Sequence, residues 1–211
     1  MRTELRHISV SDPLELADTS STRTFDTLFG ELSYQEVSDQ IADPLRVLLD
    51  NVALGSFDAQ PLDVDLIRHF HREILVSVMP DIAGRWRKRA VRVGNHYPPE
   101  HCYVDMKMRE AFQNYEARIE LADGVEHQLE ALAYLEAASL NIHPFEDFNG
   151  RAVRVVVAEA MRRVDFPVVD LSVDRDTEEH SQYVAALRAY DDHMALKPLC
   201  DFWDNVRFRG I

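Results

Sequence analysis

The chain reads as a mostly α-helical protein, and three observations carry that reading. Apolar residues recur at helical spacing along several long stretches, as Leu62, Leu66, Phe70 and Ile74 do in LDVDLIRHFHREILVSVM. Val91 and Val93 alternate with polar neighbours, which marks only a short extended segment among these stretches. Finally, Pro144 and the pair Asn149-Gly150 punctuate a short turn between two helical runs.

The elements follow in order. Residues 1 to about 24 are polar, carry SDP and DTSST, and read as a loop or tail. From Phe25, FDTLFGELSYQEVSDQIADPLRVLLDN reads as short helical bursts, and Asp43-Pro44 suits a helix start. Asn51 to Pro61 contains Gly55 and reads as a loop. This divides the chain into an N-terminal extension with helices, 1–60, and a main domain, 61–211. In the first helix of the main domain, His69 and His71 are two apart and point to different faces, as surface histidines do and a metal pair does not. GRWRKRAVRVGNHYPPEHC then breaks the helical pattern, and Gly94-Asn95 followed by Pro98-Pro99 marks a turn. A short β-hairpin or extended flap is expected over about Val91–Pro99. Arg85, Arg87, Lys88 and Arg89 read equally as a solvated basic strip or as substrate-steering charges, and Trp86 as a core residue. VDMKMREAFQNYEARIE is another helix, with Val104, Met108, Phe112 and Tyr115 near one face. VDFPVVDLSVDR reads as a connector, and TEEHSQYVAALRAYDDHM and ALKPLCDFWDNVRF as two closing helices.

Composition bounds the function. With 46% hydrophobic residues, the 211-residue chain can build a core. A net charge of −14 disfavours nucleic acid or an anionic membrane as a partner. Cys102 and Cys200 are far apart in sequence and read as free thiols, not a disulfide framework or zinc site. The N-terminus MRTELRHISVSDP has charges throughout and does not resemble a signal peptide, and no run approaches transmembrane length. A cytoplasmic location is the expectation, and secretion as an effector without a cleavable signal is compatible with it.

The chemistry concentrates in HPFEDFNGRAVR, residues 143–154. Leu129, Leu132, Leu135 and Ile142 give the preceding stretch a helical spacing, and Pro144 ends that helix. His143 thus stands at a helix C-terminus facing a turn. Asn149 is a good N-cap for the helix that follows, and Gly150 accepts whatever backbone geometry the turn needs. A helix N-terminus offers free N–H groups and a positive dipole end, which suits an anion. Arg151 and Arg154, three apart, share a face and lean back toward that end. Two arginines and a helix end suit a polyphosphate better than one carboxylate. Asp147 is placed to hold a magnesium ion bridging phosphate oxygens, and His143 to take a proton from an attacking hydroxyl. A metal-hydrolase reading is poorer, because too few His and Asp ligands are present for a closed zinc site.

These residues resemble the signature of the Fic family (Fic/Doc superfamily), H-x-F-x-[D/E]-G-N-G-R-x-x-R. The match falls at His143, Phe145, Asp147, Asn149, Gly150, Arg151 and Arg154, and the upstream AGRWRKRAVRVG looks like the family's run into its flap. The resemblance implies a Fic-type helical bundle with a short β-hairpin flap, and transfer of AMP from ATP onto a protein Ser, Thr or Tyr hydroxyl. It makes His143 the base, Asp147 the Mg²⁺ ligand, Phe145 a buried anchor, and Asn149, Gly150, Arg151 and Arg154 the phosphate cradle. It also implies a protein substrate docked at the flap by strand addition. Phe148 departs from the signature, standing where the family has Gly. A bulky residue does not reach φ > 0 freely, so this position bears on both activity and nucleotide choice. Transfer of UMP, phosphocholine or phosphate, and an inactive binding module, are the alternatives. Many family members are restrained by a glutamate from an [S/T]-x-x-x-E-[G/N] helix that pairs with the second arginine, here Arg154. The nearest match is Thr27 to Glu31, followed by Leu32, which makes Glu31 the candidate inhibitory residue. An antitoxin-like inhibitor chain is the other expected source of such control.

Overall fold

The computed structural model describes residues 23–167, 169, 171–173 and 177–208, and the expected N-terminal tail lies almost wholly outside them. The described chain is helical apart from one small antiparallel sheet. That sheet corrects the reading of Phe25 onward as helical. Strands β1 (Thr24–Thr27) and β2 (Gly30–Ser33) pair with Thr24 opposite Ser33 and Thr27 opposite Gly30. The physical cause is Gly30, whose φ of 94° lets the chain reverse tightly after Leu28-Phe29. Thr27 completes the turn, its hydroxyl donating to Gly30 O and accepting from Phe29 N–H.

Helix α1 (Tyr34–Gln40) starts at a reciprocal cap. The Ser33 hydroxyl accepts from Glu36 N–H, and the Glu36 carboxylate accepts from Ser33 N–H. Helix α2 (Ala42–Ala53) follows. Asp63 caps α3 (Val64–Leu75) by accepting from the Asp65 and Leu66 amides. Of the expected stripe, Leu66, Phe70 and Ile74 are buried on α3, whereas Leu62 precedes the helix and is half-buried. The expected flap forms as an extended segment closed by one bridge, Val93 to His96, around Gly94-Asn95. Pro98 and Pro99 donate no N–H groups, so the ladder does not propagate on that side.

Helices α4 (Val104–Glu120), α5 (Val125–Ile142) and α6 (Asn149–Arg163) carry the centre of the core. Val104, Met108, Phe112 and Tyr115 face inward from α4, as the spacing predicts. The second half of α5 and nearly all of α6 are buried on every side, a pattern of helices inside a bundle. Helix α4 packs on α5, and α2 and α3 pack on α6. Helix α5 also packs against α7 (Glu178–His193) and α8 (Lys197–Phe202), which runs on into a π-helical turn, Trp203–Arg207. Buried Glu136 of α5 ties this end together, accepting from Tyr183 Oη, Trp203 Nε1 and the Arg207 guanidinium. A buried charge is tolerated there because every acceptor site is filled and a cation stands beside it. The result is a fixed axis for α5, whose C-terminus presents His143. Among the described residues no helix is long and apolar enough to cross a membrane.

Candidate active site

His143 terminates α5 in the left-handed region, at φ 50° and ψ 64°. Its N–H still donates to Ser139 O, while Pro144 prevents another helical turn. The imidazole is fully buried. Burial first, then the charge of Arg87 and the proximity of His96, push its pKa down to about 3, so the ring is neutral near pH 7. His96 belongs to the flap, and its Nε2 lies 2.8 Å from Asn141 O on α5.

The loop after His143 is gripped from beneath. Phe145 is the buried anchor that the resemblance implies. Its ring stacks on His71 at 3.8 Å and 6°, and lies 5.0 Å from Trp86. Trp86 and Phe145 pair as a single antiparallel bridge. His71 is fully buried, which corrects its reading as a surface histidine. Gly84 N–H donates to His71 Nδ1, so the ring proton sits on Nε2 and is donated to Asp147 O at 3.0 Å. Burial pulls His71 down to about 4, matching that neutral form. A signal was present in the sequence: His71 stands four after Ile67 and three before Ile74, on an apolar row of α3. Arg87, read within a basic strip, is 2% exposed and likewise belongs to the interior.

Asn149 is not the N-cap. It is the first residue of α6, and its side chain accepts from Phe145 N–H at 2.8 Å and donates to Phe145 O at 3.1 Å. These two hydrogen bonds close the loop between Phe145 and Asn149. The cap position is held by Phe148, at φ 56° and ψ 27°. Phe148 therefore adopts the left-handed backbone that a glycine would take freely. Its ring is buried against the N-terminal segment, stacked on Tyr34 at 5.8 Å and 8° and tilted on Phe25 at 5.6 Å.

The phosphate-side residues are held differently from one another. The Arg151 guanidinium lies 5.0 Å from the Phe148 ring centroid and 5.5 Å from that of Tyr34, and donates to Ser38 Oγ of α1 at 2.9 Å. Arg154 leans back as expected and donates from Nε to Gly150 O at 3.0 Å. Asp147 is nearly buried, and Arg23 Nη2 lies 2.7 Å from its carboxylate. Among the described residues no cluster of three His, Cys, Asp or Glu side chains exists. A cation here would have Asp147 as its protein carboxylate and phosphate or water oxygens as its remaining ligands. That donor set fits magnesium, which is commonly held by one carboxylate and its nucleotide. Glu31 stands on strand β2, exposed, with Thr24 Oγ1 donating to it, so the expected helical setting is absent.

Sequence reading did not foresee that Arg23, Phe25, Tyr34 and Ser38 meet the loop. No motif marks them, since their role depends on how residues 23–40 fold back over α6. Beside His96, the flap and α7 enclose a cavity of about 150 Å³ lined by Gly94, Leu140, Leu187, Arg188 and Asp191.

Fold and site together define a helical domain built around a histidine-to-arginine loop between two buried helices. Residues 61–161 match the model of the Fic/DOC family, so the chain carries a domain of that family. Two relatives are named as protein adenylyltransferases. That of Nematostella vectensis is 28% identical over 72% of this chain and 34% of its own length. The fic-1 protein of Caenorhabditis elegans is 32% identical over 74% of this chain and 29% of its own length. The chain thus spans about a third of these relatives. Among solved structures, the BepC effector of Bartonella tribocorum, determined with bound AMPPNP, superposes with a TM-score of 0.69 at 15% identity, covering 89% of this chain and 93% of that one. A C. elegans Fic-1 structure gives 0.59 at 25% identity, over 75% of this chain and 45% of that one.

Proposed function

We propose that the protein is a Fic-type protein adenylyltransferase, moving AMP from ATP to a hydroxyl of a target protein. The observation that carries this reading is the loop geometry. A neutral, buried His143 ends α5, and Arg151 and Arg154 open α6 across the turn. The names of the matched relatives support it.

His143 takes the proton of the target hydroxyl, whose oxygen attacks the α-phosphorus of the nucleotide. The bond from that phosphorus to the β-bridging oxygen breaks, and pyrophosphate leaves. Arg151, Arg154 and the N-terminal amides of α6 stabilise the charge that develops on it. Asp147 would hold magnesium, which would supply charge neutralisation at the phosphates. The negative charge of a bound polyphosphate also raises the basicity of His143 above its value in the isolated site. The target segment docks along Val91–Pro99 by strand addition. The use of ATP accords with a cytoplasmic site of action. An antitoxin-like inhibitor chain would have to displace or reinforce the N-terminal cover on Arg151.

Intact-protein mass spectrometry with Mg²⁺ and each nucleotide in turn tests the reading. Wild type should add one AMP to itself or to a target, and His143→Ala should not. Transfer undiminished in His143→Ala would rule out the mechanism. A different mass increment would identify another phosphate-linked group.

A further inference from the structure

Arg87 is a buried cation in an unusual setting. Among the described residues it faces no carboxylate, and its side chain donates to backbone carbonyls. Nε donates to His143 O at 2.8 Å, Nη1 to Arg89 O at 2.9 Å, and Nη2 to both Pro99 O and Ile142 O. Its own N–H donates to Pro144 O at 2.9 Å. Burial pulls the guanidinium down to about 10, so it remains charged at neutral pH.

These acceptors form two groups. Ile142 and His143 supply carbonyls at the end of α5, where the helix dipole is negative and a cation is favoured. Arg89 and Pro99 bracket the flap. One planar fork of donors therefore closes the base of the flap and fixes its distance from the backbone of the catalytic histidine. A lysine ammonium has three donors on a flexible stem and lacks the planar reach of the fork.

We propose that Arg87 is a positioning residue of the transfer reaction, coupling the docking flap to His143 through the carbonyls of both. Its kinetic consequence rests on the adenylyltransferase reading; the coupling itself does not. A strand added to the flap is registered against α5 by this side chain at the flap base and by the His96 contact with Asn141 O at its tip, so the target hydroxyl arrives where His143 can take its proton. Small misplacements of reacting groups are costly, on the order of 10²-fold in rate for a displacement near 1 Å.

Arg87→Lys and Arg87→Met in the full chain test this, with circular dichroism reporting the fold. In the transfer assay, Arg87→Met should lower kcat by about 10²-fold with the KM for ATP nearly unchanged. Arg87→Lys, keeping the charge and part of the donor set, should recover some of that loss. Hydrogen exchange followed by mass spectrometry supplies a second readout that needs no activity. Amides of residues 89–99 and 143–149 should lose protection together, while α2 and α4 keep theirs. Wild-type kcat in Arg87→Met, or unchanged exchange in either segment, overturns the proposal. So does loss of protection spread evenly over all helices, which would make Arg87 a general stabiliser. If Arg87→Met does not fold, Arg87→Lys decides by the same criteria. A wild type that transfers no nucleotide overturns the adenylyltransferase reading alone, and the exchange pattern still judges the coupling.

Discussion

Phe148 sits at φ 56°, where an L-residue other than glycine pays about 1–2 kcal/mol. Its ring offsets that strain by packing on Tyr34 and Phe25 and beneath the Arg151 guanidinium. Phe148→Ala should cost about 3–5 kcal/mol, as loss of a buried aromatic does. Phe148→Gly should cost about 1 kcal/mol less than Phe148→Ala, because glycine removes the backbone strain along with the ring. Urea unfolding of the two variants checks the order, and equal or reversed costs would show that the backbone there is not strained. At His143, the alanine variant should lose transfer by about 10²–10⁴-fold, the usual contribution of a general base. Calorimetric binding of ATP to that variant should persist, since the phosphate-side residues are untouched. The sequence indicated both positions, one as a match to the signature and one as its exception. It did not indicate where the Phe148 ring goes, because Tyr34 and Phe25 lie over a hundred residues away in the chain.

The β1–β2 hairpin and α1 form a cover over the N-terminal end of α6. Arg23 reaches Asp147, Ser38 reaches Arg151, and Tyr34 reaches Phe148. A carboxylate paired with a guanidinium at 2.7 Å is a poorer ligand for a second cation, because the two positive charges repel. Arg23→Ala should therefore tighten binding of Mg²⁺–ATP several-fold, measured by isothermal titration calorimetry across a range of Mg²⁺ concentrations. Weaker binding would instead make Arg23 a phosphate ligand. The stretch from Phe25 reads as helical in sequence, whereas the positive φ of Gly30 makes a hairpin turn there. By contrast, α3 through α6 were legible. Their apolar rows and breaks at Pro144 and Asn149-Gly150 are local signals, and local signals are what a sequence prints.

For the molecule as a whole, two buried neutral imidazoles link stability to pH. His71 and His143 have folded values of about 4 and about 3, against 6.5 when unfolded. Above pH 6.5 neither state binds these protons, and the fold has its full stability. Below 6.5 the unfolded chain takes up protons that the native chain refuses, so stability falls as pH drops toward 4. For His71 alone the loss over that window is on the order of 3 kcal/mol. His71→Gln, measured with chelator present, should flatten the fall of Tm between pH 6.5 and 4; an unchanged slope would mean that His71 protonates without cost. The sequence by itself determined the helical class, the order of the principal helices and the residues of the loop from His143 to Arg154. Those follow from spacing along one chain. Only the tertiary structure decided that His71 and Arg87 are interior, that Asn149 braces the loop, and that residues 23–40 close over Asp147 and Arg151. Each of those roles depends on burial and on partners distant in sequence, and periodicity shows which face of a helix is apolar but not which distant segment will cover it.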